Sequence, residues 1–321
     1  MITVNLMSRA GLSVLLCVLV SCASAEANDL LVLNGSPTAI LRYNGNTGAF
    51  VGQFTPITNG YAMAYGLDAS LYVASNSNIS RYDGQTGAFL NVFVPGTNNS
   101  LEPRPTDITF GPDGNLYVAG NSANMNVGGV WRFNGSTGQF MDVFARPAFS
   151  SSPRGLTFGP DGDLYVADQF NVDRYNGTSG LFISHFAHGS GLERAGEVRF
   201  GPDGNLYVEG NSLLEFNGRT GAFIGTLNIL EDRFLFGPDG NLYAAYLSQV
   251  DRYTLSGTLI DHFIPSGSGG LFFPRAMGFI PEPGTLITIG FVWTILLTRR
   301  RRFVGSAHPT SPEPPSANHP S

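Results

Sequence analysis

Apolar residues along this chain come in short runs separated by clusters of Gly, Pro, Asn and Asp, and the runs recur with a period of roughly 40 residues. Four near-copies of one string carry the period: FGPDGNLYVA from Phe110, FGPDGDLYVA from Phe158, FGPDGNLYVE from Phe200 and FGPDGNLYAA from Phe236. Two degenerate copies extend the array. Tyr65 to Ala74 lacks the Pro-Asp-Gly core, and Asn28 to Leu33 keeps only the second half. In each unit the segment ending in Phe-Gly-Pro predicts a first strand. Pro-Asp-Gly predicts a tight turn, with proline presetting φ and glycine taking the left-handed position. Asn-Leu-Tyr-Val-Ala is apolar on both faces and predicts a deeply buried second strand, as in a sheet sandwiched between neighbouring sheets. The segment from Arg42 to Phe50 recurs at Arg81 to Phe89, Arg132 to Phe140, Arg174 to Phe182 and Glu215 to Phe223. Its Asn-Gly or Asp-Gly pair and closing glycine predict a turn between antiparallel third and fourth strands.

Second strands begin at Leu30, Leu71, Leu116, Leu164, Leu206 and Leu242, and first strands end near Tyr65, Phe110, Phe158, Phe200, Phe236 and Phe279, six of each. The half missing from the N-terminal copy reappears at the other end, where residues 274 to 279 align with 153 to 158. The fold expected is therefore all-β, a six-bladed β-propeller over residues 26–280, closed by N- and C-terminal strands in a shared blade and followed by a C-terminal hydrophobic helix. Closure removes the exposed sheet edges that invite aggregation. An open solenoid is the rival arrangement.

The aromatic-Gly-Pro-Asp-Gly-Asn-Leu-Tyr-Val core resembles that of the NHL-type six-bladed propellers, which include gluconolactonase-like proteins and streptogramin lyase. The resemblance spans residues 28 to 279 and implies the fold; such a motif says little about activity. Of the six units, only Ala167-Asp168-Gln169-Phe170-Asn171 follows the Ala-Asp-x-x-Asn continuation of that group. Gluconolactonase-like propellers hold a metal near the channel mouth. The resemblance thus implies a divalent cation such as Ca²⁺, for which Asp168, Asn171 and Glu197 are the oxygen ligands on offer. The Gly-Pro-Asp-Gly turns themselves are neither calcium nor phosphate loops, since they lack the acidic ladder and the Gly-Lys-Ser/Thr pair those sites require.

The termini speak to address. Residues 1–25 carry Arg9, an apolar run from Gly11 to Val20 and Ala23-Ser24-Ala25, the plan of a secretory signal peptide. Leu19-Val20-Ser21-Cys22 is also a lipobox-like string in which Cys22 would be lipidated, and both readings stay open. Cys17 and Cys22 are the only cysteines, so a chain cleaved near Glu26 has no thiol and no disulfide. At the other end Pro281-Glu282-Pro283, an apolar stretch to Thr298 and Arg299 to Arg302 resemble the PEP-CTERM sorting signal over 281–302. That resemblance implies an exosortase-type processing enzyme and export to the envelope, surface or extracellular matrix of a Gram-negative bacterium. Gly284 to Thr298 is 15 residues, about 22 Å of helix against a hydrocarbon core of about 30 Å, a marginal membrane span. Its arginines favour the cytoplasmic side and leave the propeller outside. The Pro- and Ser-rich tail 303–321 is expected to be disordered.

Charge narrows the partners. The chain has no lysine, and from Glu26 to Ile280 there are 22 acidic residues against 13 arginines. An acidic domain without a basic patch argues against nucleic acid and against adsorption to anionic lipid. Loops between blades and after second strands gather at one face of a propeller, which is the default binding mouth. Sequence phase places Asn76, Asn121, Asp168 and Asn171 after second strands and Asp107, Glu197 and Arg233 before or within first strands. The plain alternative for each is a turn former or an Arg–carboxylate stitch between blades. His185 and His262 hold equivalent fourth-strand positions and are expected to be structural. His188 is the histidine expected near the mouth, where with Glu197 it is an acid–base candidate. The functional expectation is a secreted binding protein for an extracellular protein or polysaccharide; the alternative is a metal-dependent, lactonase-like hydrolase or lyase.

Overall fold

The computed structural model describes residues 28–76, 78–96, 103–122, 128–146, 153–193, 195–230 and 233–282. The leader with Cys22, Pro283, the apolar segment with its expected helix, the arginine cluster and the tail lie outside the described residues. Within them the chain forms six four-stranded antiparallel sheets, each made of strands consecutive in sequence except one. That exception is the shared blade. Ala276–Phe279 pairs with Leu30–Gly35, which continues through Thr38–Tyr43 to Phe50–Pro56. We call it blade 1, and number the rest in chain order. First strands of neighbouring blades lie against one another, among them Gly60–Tyr65, Pro103–Phe110, Gly155–Phe158 and Val198–Phe200, so they surround the axis. The ring closes as the repeat count requires, and the solenoid is excluded.

Each letter of the repeated string has a packing task. The tyrosine of the second strand is buried in blades 2 to 6, as Tyr72, Tyr117, Tyr165, Tyr207 and Tyr243. Its hydroxyl donates to the aspartate of the turn that precedes its own strand, as in Tyr117 to Asp113 at 3.0 Å and Tyr165 to Asp161 at 3.0 Å. Its ring meets, edge-on, the phenylalanine that ends the next blade's first strand: Tyr117 with Phe158 at 4.9 Å, Tyr165 with Phe200 at 5.0 Å, Tyr243 with Phe279 at 5.2 Å. The glycine after that phenylalanine makes room for the same unit's tyrosine, because a Cβ on Gly111 would lie 2.5 Å from the Tyr117 ring. Blade 1 has Leu31 where the others have tyrosine, and Leu31 joins an aliphatic cluster with Tyr65 packed against it.

A second phenylalanine reaches the tyrosine from the outermost strand of the same blade: Phe93, Phe144, Phe186 and Phe263 lie 4.8 to 5.0 Å from Tyr72, Tyr117, Tyr165 and Tyr243. In these blades the third–fourth strand register slips beside that residue. The extra residue of the bulge turns the ring inward, which regular alternation would forbid. The turn between third and fourth strands is capped by its opening residue. Asn134 Oδ1, for example, accepts from the backbone N–H groups of Ser136 and Thr137 and from the Thr137 hydroxyl. The closing glycine of that turn touches the neighbouring blade. A Cβ on Gly138 (φ 72°) would sit 2.0 Å from the carbonyl oxygen of Phe93, whereas Gly204 (φ 82°) has open space around it.

The two glycines separate backbone strain from blade contact. Gly204→Ala is expected to lose about 1–2 kcal/mol for a left-handed alanine, and Gly138→Ala a further ~1–3 kcal/mol for overpacking against blade 2. Equal losses by urea denaturation would contradict a blade contact at Gly138.

Candidate functional site

The first strands and the loops leading into them enclose a cavity of about 590 Å³ on the channel axis. Seven charged side chains border it: Asp107, Arg154, Glu197, Arg199, Glu209, Arg233 and Arg275. They arrive from five blades because each sits just before or within an innermost strand or, for Glu209, at the end of a second strand. Of the expected mouth residues, Asp107, Glu197 and Arg233 are brought together here.

Most of these charges already have work within the ring. Glu197 pairs with Arg199, whose Nε donates to Oε1 at 2.8 Å, and its Oε2 accepts the N–H of Phe234 in blade 6 at 2.9 Å. Arg199 Nε also donates to the Phe234 carbonyl. Glu209 accepts from the Glu197 N–H at 2.8 Å and forms an ion pair with Arg233 at 3.2 Å, joining blade 5 to blade 6. Arg233 donates to the Arg275 carbonyl, and Arg275 to the Gly60 carbonyl, joining blade 6 to blade 1 and blade 1 to blade 2. Asp107 Oδ2 accepts the N–H of Leu156, and Thr106 donates to the Pro153 carbonyl, joining blade 3 to blade 4. Arg154 is exposed and makes no ion pair among the described residues.

Asp107 is a perturbed group of the cavity. Burial pushes its carboxyl up to about 6; Arg199 opposes the rise, the Glu197 charge adds to it, and two backbone N–H groups lower it.

The remaining expected residues lie elsewhere. Asp168 is buried and closes its own loop, accepting from the N–H groups of Phe170 and Asn171, both at 2.9 Å. Asn171 borders a second hollow of about 430 Å³, out along blade 4, together with Phe170, His185, His188, Gly189 and Leu192. Asn76 borders a third, of about 310 Å³, between blades 1 and 2. Asn121 stands opposite Arg104 in the first–second strand ladder of blade 3, and its buried Oδ1 has no hydrogen-bond partner among the described residues. Two expected groupings therefore do not assemble in one cavity. His188 ends the outermost strand of blade 4, Phe182–His188, and borders a different hollow from Glu197. Asp168 and Asn171 share one turn, whereas Glu197 faces the axis. Among the described residues no three His, Cys, Asp or Glu side chains form a metal-ligand group. Pro281 contributes its carbonyl to Gln85 at 3.3 Å, and Glu282 is the last described residue.

Arg199, Glu209, Arg154 and Arg275 complete the cavity set. Arg199 was missed by the sequence reading because it follows Glu197 by two positions on one strand, and only that alternation, which puts both on one face, could have pointed to it.

No protein-family model matches the chain, and no curated protein matches it. Solved structures do. A protein of unknown function from Bacteroides caccae superposes with a TM-score of 0.59 at 12% identity, covering 78% of this chain and 98% of that one. Virginiamycin B lyase from Staphylococcus aureus gives 0.51 at 17% identity, covering 66% and 72%. A gluconolactonase from Xanthomonas campestris gives 0.51 at 17% identity, covering 64% and 75%. This chain is a six-bladed β-propeller. At such identities the likeness is one of fold.

The Asp107 shift carries a sign. The folded state holds this proton more tightly than the unfolded chain, so its contribution to stability is complete below about pH 4 and lost as pH rises through about 6. Asp107→Asn, which cannot ionise, is expected to gain on the parent by on the order of 2 kcal/mol between about pH 4 and pH 8. Urea midpoints measured across that range test it; parallel curves would contradict the shift.

Proposed function

We propose that this chain is an exported propeller that acts by binding, through the mouth of its channel, rather than by catalysis. The observation that carries the reading is the engagement of the channel charges. Glu197, Arg199, Glu209 and Arg233 are each held by an ion pair, and each also reaches a neighbouring blade: Glu197 and Arg199 the backbone of Phe234, Arg233 the carbonyl of Arg275, and Glu209 the Arg233 side chain. Groups fixed this way make a rigid, shaped surface, and a pre-formed concave surface with a few polar groups suits recognition. Arginines outnumber carboxylates at the cavity although the domain is acidic, which favours an acidic polysaccharide of the matrix over a basic partner.

Address belongs to the same proposal. The leader, the Pro281-Glu282-Pro283 string, the apolar segment and the arginine cluster support export, handling by an exosortase-type enzyme and residence at the envelope, surface or matrix of a Gram-negative bacterium. Through the apolar segment the chain would be held in the membrane until processed.

One observation favours the hydrolase or lyase reading. A carboxyl raised to about 6 in a cavity is poised for general acid–base work near neutral pH, and two structural neighbours are named as a lyase and a gluconolactonase. In that reading Asp107 would be the proton carrier; the divalent cation implied by the resemblance would add Lewis-acid activation, but Asp168, Asn171 and Glu197 do not meet to hold it in this cavity.

The two readings part in one experiment. The full chain is expected to co-sediment with acidic exopolysaccharide, and Arg154→Glu to weaken this about tenfold, the worth of one charge-assisted hydrogen bond. No co-sedimentation, together with lactone hydrolysis abolished by Asp107→Asn, would overturn the binding reading. For sorting, the mature protein from the native host is expected to lack the residues beyond the Pro-Glu-Pro string, and the Pro281→Ala/Pro283→Ala variant to retain them. Identical masses would refute specific processing.

A further inference from the structure

Blade 4 departs from its siblings on the face of its last two strands that packs toward the preceding blade. Where Asp173 of the third strand stands opposite His185 of the fourth, other blades pair Leu41 with Gln53, Ser80 with Val92, Trp131 with Val143 and Leu214 with Thr226. Only blade 6 repeats the couple, as Asp251 and His262 at 2.8 Å. The place of His188 is held by Pro56, Pro95, Arg146, Ile229 and Pro265 in the other five. Blade 4 alone therefore carries both histidines.

The bulge decides how they face. Asn171 and Asp173 are two apart on a regular strand and so share a face. Their cross-strand partners are His188 and His185, which must share it too, although three residues apart in sequence. The residue that absorbs the difference is Phe186, turned inward onto Tyr165. Both imidazoles accordingly border the same 430 Å³ hollow, with Asn171 beside them. His185 Nδ1 lies 2.7 Å from Oδ1 of Asp173, whose side chain is only 5% exposed while the histidine is 46% exposed. A buried carboxylate accepting Nδ1–H fixes the tautomer and leaves Nε2 as the basic nitrogen.

The geometry points to a binding site for one borderline transition-metal ion, Cu²⁺, Ni²⁺ or Zn²⁺, held by the imidazoles of His185 and His188, with the Asn171 amide at hand and Asp173 as a positioning residue. Imidazole nitrogen selects these ions over Ca²⁺ and Mg²⁺, which prefer oxygen. Two histidines bordering one hollow on one strand face offer a chelate, and the carboxylate behind one of them holds its ring orientation. Blade 6 is the built-in control: the same Asp–His couple, with Pro265 where the second ligand would be.

Cu²⁺ titration of the full chain, read by calorimetry and by nitrogen hyperfine structure in electron paramagnetic resonance, tests the site. One equivalent with two nitrogen ligands is expected. His188→Ala and His185→Ala should each weaken it at least ~10-fold, and Asp173→Asn by about 10–100-fold with stoichiometry kept. His262→Ala and His308→Ala/His319→Ala should leave it unchanged. Absence of binding by the parent, undiminished binding by His188→Ala, or loss confined to the tail variant would overturn the site. Because His188 is exposed, its substitution reads the ligand role without threatening the fold.

Discussion

The buried tyrosine of the second strand is the contact on which the ring depends. It does three things at once in blades 2 to 6. Its ring fills the gap between two blades, its edge meets the next blade's phenylalanine, and its hydroxyl ties down the aspartate of its own turn. A buried hydroxyl without a partner would cost on the order of 1–3 kcal/mol, so tyrosine and aspartate imply each other. The same ring forces the glycine of Phe-Gly-Pro and the bulge that turns the outer phenylalanine inward. Much of the repeated string is thus a set of consequences of one side chain.

That dependence explains what was legible. Residues that recur for packing recur in sequence, so strand order, blade number and the shared blade could all be read, and Ala276–Phe279 does pair with Leu30–Gly35. The role of the third-strand arginines was harder to read. Arg174 pairs with Asp161 and Asp163 of its own blade, and Arg252 with Asp239 and Asp261 of its own, so these pairs brace turns and do not cross between blades. Stitching between blades is done nearer the axis, by Glu209 with Arg233 and by side chains bonded to backbone. No local pattern encodes such contacts, since the partners lie about a blade apart in sequence.

The cavity was legible only in outline. Asp107, Glu197 and Arg233 could be placed at the axis because first strands must line it. Which charges meet depends on how far each first strand extends past its pairing, and those lengths vary: Pro103–Phe110 is eight residues, Val198–Phe200 three. His188 shows the same limit from another side. Its sequence distance from Glu197 is short, yet it caps an outermost strand and Glu197 precedes an innermost one, so the width of a blade separates them.

A repeat fold offers its own control for telling support from function. A residue that recurs from blade to blade is explained by what the fold needs, and the tyrosine of blades 2 to 6, the asparagine or aspartate that opens the turn in blades 1 to 5 and the turn-closing glycine fall in that class. Asp173 with His185 does not, because two blades have the couple and four pack uncharged side chains at the same position. Burying a carboxylate there carries a desolvation cost that the uncharged pairs of its siblings avoid. The fold does not require that cost, since Leu214 with Thr226 fills the position without it. In blade 4 the exposed side of that histidine borders the same hollow as a second imidazole, and in blade 6, with Pro265 in that place, it does not.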